Sequence, residues 1–467
     1  MSDRFFKNNY PDYDGEQYLG PDNRLVPQLG STITQWIEHH LGILESNLNQ
    51  TNPSDGSVYT GSAGIALLYM RLAQLLPDQS SNYMSKAKTL IDSALKLLNG
   101  QVISFLCGDP GPLAIAAVIY CKSGDQKASD QCIQKILSMK RNALSHSNPD
   151  EYLYGRAGYL YTLMFLRREI GHHVIDAQHI TDIFEAIIKS GEKYARQTGS
   201  RSPLMYQWHG SEYMGAAHGV SGIAYLLLKV AHHESFAHLR PYIDSHLLPT
   251  VEFLKSKCLS SGNYISSSDS ASDKLVQWCH GAPSFVYLFN QAYEMTEDGS
   301  YMQRASGAGD VVWARGLLTK GYGLCHGAAG AGDVVWARGL LTKGYGLCHG
   351  AAGNGYVFLG LYRVTHDQKW LHRAIKFAEF CLDYGKHNLA RTPDHPFSLF
   401  EGLAGTIYYM ADNGNGLRQR KLAATYNISL GSVSNVLKRK AEYLNDYETN
   451  QNQNQLMFIL IQKQKDK

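Results

Sequence analysis

The chain has 467 residues, of which 44% are hydrophobic and 18% are charged, so it can bury a substantial core in one large domain or two ordinary ones. Its formal net charge of +3 is too near neutral to indicate a broad nucleic-acid footprint. No run of about 18 apolar residues predicts a membrane span, and the start MSDRFFKNNYPDYDG lacks the apolar segment of a secretory signal. These features favour a cytosolic protein whose 8 cysteines stay reduced.

Seven small-residue turns recur along the chain, each followed by an apolar run of helical length. The marker glycines of these turns are Gly61, Gly108, Gly155, Gly219, Gly281, Gly350 and Gly402, at steps of 47, 47, 64, 62, 69 and 52 residues. A Gly-x-x-Gly spacing suits a turn that approaches the axis of the molecule and starts a helix there. Segments between the turns, such as 80–100 and 369–385, have amphipathic helical spacing. Seven inner helices, each covered by an outer one, predict an all-α protein, an (α/α) toroid.

One unit of the chain, AGDVVWARGLLTKGYGLCHGAAG, occurs twice without a difference, at 308–330 and at 331–353. Removing one copy shortens the step of 69 residues to 46, which matches the first two steps. One copy supplies about one helix and one loop, and a whole extra helix would reverse the direction of everything downstream. Because the entropy of closing a loop grows slowly with its length, we expect one copy to be displaced to the surface or poorly ordered.

The character of the sequence changes after Asp412. Residues 417–444 read as a helix, a turn and a second helix, which resembles the helix-turn-helix of transposase-type DNA-binding domains. A unit this short is not expected to fold alone, and the low-complexity stretch ETNQNQNQ is expected to be disordered. We therefore assign 1–412 to the toroid and 413–467 to a foreign tail, and we expect no nucleic-acid partner.

Three of the turns place cysteine or histidine at the start of an inner helix. They are WCHG at 278–281, LCHG at 347–350 and AHG at 217–219. In a toroid these starts converge on one face, so thiols and an imidazole from different turns could hold one metal ion. Cysteine and histidine suit zinc, and a catalytic zinc keeps three protein ligands and one open position. The spacing alone is weak evidence, because a lone Cys-His pair is more often a buried cysteine beside a turn histidine.

The seven turns, with WCHG in the fifth and GLCHGAAG in the sixth, resemble the lanthionine synthetase C-like family, above all its eukaryotic members. The resemblance spans about residues 1–412 and includes RFFKNNYPDY, LMYQWHGSEYMGAAHG (204–219) and RTPDHPFSLFEGLAGTIYYMAD (391–412). It implies an α/α toroid that binds one zinc ion through two cysteines and a histidine. The ligands it implies here are Cys279, Cys348 and His349, with Cys325 and His326 of the first copy as the alternative pair. The second copy is preferred because the inner-helix sequence NGYVFLGLYRV follows it.

The chemistry that the resemblance implies follows from the metal. Zinc held by two thiolates lowers the pKa of a third thiol, whose thiolate then adds to a dehydroamino acid and forms a thioether. His218 is predicted to protonate the resulting enolate as a general acid, and His280 to act there or to orient a ligand. The eukaryotic members bind glutathione, and the matching contact positions here are Arg4, Lys343, Arg391, Thr392, Pro393 and Asp394.

The resulting hypothesis is a zinc-dependent enzyme that adds glutathione to dehydroamino acids in proteins or to small electrophiles. A non-enzymatic glutathione-binding adaptor with a structural zinc is the alternative. A third hypothesis is that the duplication and the tail make the chain a defective chimera. The expected location is the cytoplasm, and peripheral association with the plasma membrane is a further option.

Overall fold

The computed structural model of the chain describes residues 5–21, 24–318, 347–348, 350–382 and 394–415. Within these ranges the backbone forms 15 α-helices, and β pairing is confined to isolated bridges. None of the helices in this part of the chain is both long and apolar enough to cross a membrane.

Seven of the helices are inner helices, and each begins directly after one of the small-residue turns. They are α2 (Ser62–Leu75), α4 (Pro110–Lys122), α7 (Arg156–Glu169), α9 (Val220–His232), α11 (Ala282–Thr296), α13 (Ala351–Thr365) and α15 (Leu403–Asn415). The outer helices are α1 (Pro27–Ser46), α3 (Ser80–Ala94), α5 (Gln126–Ser138), α8 (Ala177–Thr198), α10 (Leu248–Lys255), α12 (Gly299–Arg315) and α14 (Gln368–Leu382), and α6 (Lys140–Ala143) is a single turn.

Inner and outer helices differ in burial as their sequences predict. Helix α4 is buried at every position from Pro110 to Ile119, because neighbours cover all of its faces. Helix α8 buries Ile180, Phe184 and Ile187 on one side, at the three- and four-residue spacing of an amphipathic helix. The inner helices therefore form the core, and the outer helices separate it from solvent.

The inner helices form a closed ring. Each contacts the next in chain order, and α15 contacts α2. Backbone hydrogen bonds also join turns of neighbouring helices, namely Tyr59 N to Leu106 O (2.9 Å), Tyr152 N to Ala217 O (3.1 Å), Cys348 N to Phe400 O (2.9 Å) and Phe400 N to Tyr59 O (3.1 Å). The predicted all-α toroid of seven helix pairs is confirmed.

The last pair differs from the order along the sequence, in which an inner helix precedes the outer helix that covers it. Helix α15 is covered by α1, so the two ends of the toroid sequence meet in one pair. A Cβ built on Gly414 would lie 2.9 Å from Cγ2 of Ile33, which shows how closely the two helices approach. Helix α15 runs to Asn415, three residues past the boundary assigned from the sequence.

The two identical copies contribute different parts of the described structure. Residues 308–315 of the first copy form the second half of α12, and residues 350–353 of the second copy form the turn and first residues of α13. The amino-terminal segment contacts the first copy just after α12, where Phe6 N donates to Leu317 O over 2.6 Å. The predictions of one displaced copy and of a helix-turn-helix tail fall on 319–346 and 416–467, which lie outside the described residues.

Candidate functional site

The predicted reactive residues lie where helices α9, α11 and α13 begin, and these three helices are consecutive members of the ring. Cys279 lies two residues before Gly281 and Cys348 two residues before Gly350, and these glycines are the N-caps of α11 and α13. Both cysteine side chains are fully buried. The structure therefore buries both thiols in the turns that precede two adjacent inner helices.

The fifth turn holds Cys279 between two backbone hydrogen bonds. Gln277 N donates to His280 O, and His280 N donates to Gln277 O, each over 3.0 Å. The side-chain amide Nε2 of Gln277 also donates to the Cys279 Sγ over 3.1 Å. The side chain of Gln277 therefore holds the sulfur of Cys279 in the turn together with the two backbone hydrogen bonds.

The fourth turn carries His218, whose imidazole is oriented by a carboxyl group. The Nδ1 of His218 lies 2.7 Å from Oε2 of Glu151, and both side chains are buried. Oε2 of Glu151 also accepts from Leu153 N over 2.9 Å, which fixes the carboxyl group in the third turn. Because Nδ1 donates to the carboxyl group, Nε2 is the ring nitrogen that can exchange a proton with a substrate.

The fourth and fifth turns are in direct contact. A Cβ on Gly215 would lie 2.0 Å from the carbonyl oxygen of Cys279, so only glycine fits at this approach. The ring of Tyr213 lies 5.8 Å from the ring of His218 and 5.7 Å from that of His280, measured between centroids. The two histidines therefore flank one tyrosine beside the Cys279 turn.

Cys107, in the second turn, is a thiol of a different kind. Burial raises its pKa, and the carboxyl groups of Glu151 and Asp55 raise it further. These two influences disfavour the thiolate of Cys107 relative to its protonated thiol.

Not every predicted site residue lies in the described part of the chain. Cys279, Cys348, His218 and His280 lie around the helix starts discussed above, and Asp394 is exposed in the segment that precedes the seventh turn. The remaining predicted residues lie outside the described ranges, and these are Arg4, Cys325, His326, Lys343, His349, Arg391, Thr392 and Pro393. Within the described ranges no three His, Cys, Asp or Glu side chains form a group that could hold a metal ion.

Glu151 is a residue of the candidate site that the sequence analysis missed. The third turn contains neither cysteine nor histidine, and Glu151 lies 67 residues before His218. An acidic residue just before a turn is also an ordinary acceptor for backbone N–H groups, as Asp55 is for Ser57 N in the first turn. The only available signal was the placement of Glu151 ahead of a turn that the ring brings beside the fourth.

Residues 52–335 and 331–424 match the family described as lanthionine synthetase C-like protein. The chain belongs to the lanthionine synthetase C-like (LanC-like) family. A relative from Danio rerio named "Glutathione S-transferase LANCL1" is 40% identical over 417 residues, which cover 88% of this LanC-like chain and 96% of the relative. The solved structure of a protein named "Nisin cyclase" is 16% identical, covers 84% of this chain and 96% of its own, and superposes with a TM-score of 0.53. That likeness supports the toroid fold.

Proposed function

We propose that this LanC-like chain binds glutathione and adds its thiol to electrophiles, among them dehydroamino acids in proteins. The observation that carries the proposal is the convergence of a carboxyl-oriented histidine, His218, with two buried thiols, Cys279 and Cys348, at the starts of consecutive inner helices. The name of the Danio rerio relative supports glutathione as the thiol. The proposed location is the cytoplasm, where thiols stay reduced.

The donor set fits a zinc ion. Two buried sulfur atoms on adjacent turns are soft ligands of the kind that zinc prefers, and His349 follows Cys348 directly as the proposed third ligand. When bound, zinc supplies a lowered pKa for an added thiol, so that the thiol reacts as a thiolate at neutral pH. Cys279, Cys348 and His349 are the residues that would hold it.

The chain's own residues complete the addition. The thiolate sulfur forms a bond to the β-carbon of the dehydroamino acid, and the electron pair of the carbon–carbon double bond moves to the α-carbon as an enolate. Nε2 of His218 takes the proton that the glutathione thiol gives up and then delivers it to that α-carbon, while Glu151 accepts from Nδ1 and stabilises the doubly protonated imidazole in between. No group leaves, so the product is the thioether.

The decisive experiment is the zinc content per chain of the purified protein and of three variants. We expect one zinc ion in the unmodified chain, loss of it in Cys348→Ala, and retention of it in Cys325→Ala. Cys121→Ala is the matched control, because Cys121 is a half-buried cysteine at the carboxyl-terminal end of α4, away from the turn that precedes this helix.

The same samples are then tested for a glutathione adduct of a dehydroalanyl peptide by mass spectrometry. Absence of zinc from the unmodified chain would contradict the metal assignment, and loss only in Cys325→Ala would transfer it to the first copy. Glutathione binding without an adduct would favour the adaptor alternative over the enzyme.

A further inference from the structure

Three half-buried aromatic side chains, Tyr154, Trp208 and Tyr213, lie in the third and fourth turns near the two histidines. Trp208 lies parallel to Tyr154, with ring centroids 5.8 Å apart and planes at 19°, and parallel to His218, at 6.3 Å and 17°. Tyr213 lies within 6 Å of both His218 and His280. Trp208 and Tyr213 thus each lie beside the ring of the proposed general acid His218, and Tyr154 extends the Trp208 side; the three are called the aromatic wall below.

The backbone holds Trp208 in place independently of its side chain. Trp208 N donates to Ser211 O over 3.0 Å, and Ser211 N donates to Trp208 O over 3.1 Å, which closes a two-residue hairpin. Its central residues His209 and Gly210 have φ values of +47° and +79°, the pattern of a type I′ turn. A residue other than glycine at positive φ is uncommon and concentrates at functional sites.

The segment that follows the hairpin turn is also anchored, to residues 266 and 267. Tyr213 forms a β-bridge with Ser267, and Met214 N donates to Ser266 O over 2.9 Å. The hairpin is therefore fixed at its turn and along the segment that follows the turn. The indole of Trp208 projects from this preformed support. A preformed surface binds a ligand with less loss of conformational entropy than a mobile one.

The chemistry of the aromatic wall selects between the two substrates of the proposed reaction. The face of an aromatic ring carries partial negative charge, so it disfavours the carboxylates of glutathione. A dehydroalanyl residue is uncharged, and its double bond, conjugated with the carbonyl group and the amide, is planar and polarisable. Such a unit stacks on ring faces, which makes the wall suitable for the electrophile and unsuitable for glutathione.

We propose that the aromatic wall is the electrophile subsite and that it takes the planar α,β-unsaturated amide of a dehydroalanyl residue within a peptide. This inference rests on the proposed function and assigns the second substrate of the same site. Stacking on Trp208, which is parallel to His218, places the α-carbon next to the imidazole that protonates it. The wall thus aligns the acceptor for the proton as well as binding it.

The test compares the binding of two peptides that differ only in carrying dehydroalanine or alanine at one position, titrated without glutathione and followed by NMR. The unmodified chain should bind the dehydroalanyl peptide more tightly. Trp208→Ala should weaken that binding about tenfold and remove the preference. Trp208→Phe keeps a ring and should retain most of the affinity for the dehydroalanyl peptide. The Kd for glutathione should be the same in every variant.

Trp208→Leu serves as a second variant, because it keeps apolar bulk without a ring and protects the test if Trp208→Ala unfolds. Equal affinity of the unmodified chain for the two peptides, or an unchanged preference in both ringless variants, would overturn the proposed subsite. If Trp208→Ala and Trp208→Leu both form the adduct with an unaltered KM for the dehydroalanyl peptide, the proposed subsite is also overturned. That result would leave the proposed function intact. Binding of the dehydroalanyl peptide that depends on Trp208, without any adduct, would support the subsite and remove the proposed function.

Discussion

Glu151 links the geometry of the third turn to that of the fourth. One of its carboxyl oxygens accepts from Leu153 N and from Nδ1 of His218, so the oxygen that shapes the third turn also sets the direction of the imidazole. A histidine held in this way keeps one tautomer and one orientation, which a general acid requires. In the proposed mechanism Glu151 is therefore a positioning residue that acts through His218.

Replacing Glu151 by glutamine should separate catalysis from binding. We expect Glu151→Gln to lower kcat for adduct formation about 100-fold. The amide oxygen can still accept from one of the two backbone N–H groups, Leu153 N and Tyr154 N, that now donate to the carboxylate, so the KM for glutathione and the zinc content should change little. Steady-state kinetics and metal analysis of the same sample check this prediction.

Asp150→Asn is the matched control for that variant. Asp150 is the adjacent buried carboxyl group, and it pairs with Nε of Arg156 over 2.8 Å and accepts from Ser190 Oγ over 2.6 Å. Its loss should reduce stability and leave kcat near the unmodified value. An equal loss of kcat in both variants would mean that Glu151 acts through the fold and not through His218.

Site residues close in sequence to a turn glycine could be predicted, and a contact between residues far apart in sequence could not. Cys279, His218 and His280 could be placed at helix starts because each lies within two residues of a recurring turn glycine. The contact of Glu151 with His218 joins two turns and exists only once the ring has formed. A local pattern cannot contain it.

At the level of the helices, the recurring Gly-x-x-Gly pattern is explained by the close approach of its second glycine to the backbone. A Cβ at that position would lie 1.8–2.3 Å from a carbonyl oxygen six residues earlier, in every turn that has the second glycine: Gly64, Gly111, Gly158, Gly222, Gly353 and Gly405. The fifth turn has Ser284 instead, and its marker Gly281 is the one with a positive φ, +87°. The sequence predicts the turns, and the structure shows that the fifth, which carries Cys279, is built differently.

A pair of glycine substitutions tests this explanation. Gly222→Ala should destabilise the protein by about 1–3 kcal/mol, because its Cβ would lie 2.0 Å from the carbonyl oxygen of Ala216. Gly42→Ala, within helix α1, meets no atom within 4 Å and should stabilise the protein by about 0.4–1 kcal/mol. Denaturant unfolding of both variants measures the difference, and similar values for the two would refute a packing role for Gly222.

At the level of the whole molecule, a buried charge cluster joins the last inner helices to the first. Asp412 on α15 forms an ion pair with Arg71 on α2 over 2.7 Å, and its Oδ2 accepts from Tyr356 on α13 over 2.8 Å. Both charged side chains are at least 94% buried, so neither is well solvated by water. The point at which the ring closes is thus held by a polar contact as well as by packing.

Removal of one partner of this ion pair should be costly. Asp412→Ala removes the carboxylate that pairs with the buried Arg71 guanidinium and should destabilise the protein by about 3–5 kcal/mol. The double variant Arg71→Met with Asp412→Leu removes both charges and should recover most of that loss. Guanidinium denaturation of the single and double variants gives the coupling energy, and a single variant within about 1 kcal/mol of the unmodified chain would contradict the argument.

Seven turns at a recurring interval were enough to predict the number of helix pairs and the toroid. They could not show which outer helix covers α15, because α1 and α15 are separated by the whole ring and each is an ordinary helix when considered alone. The covering of α15 by α1 appears only in contacts of the folded chain, such as the close approach of Ile33 to Gly414. Packing between distant segments decides such features, and no local sequence signal reports it.

The pairing of α1 with α15 has a consequence for the folding of this protein during its synthesis. Helix α1 ends at Ser46, and its partner begins at Leu403. At about 5–20 residues per second, the partner emerges roughly 20–70 s after α1. During that interval the apolar faces of α1 and α2 that α15 will cover stay open to other nascent chains. Chaperones that shield such faces until synthesis reaches the seventh turn should therefore raise the yield of folded protein.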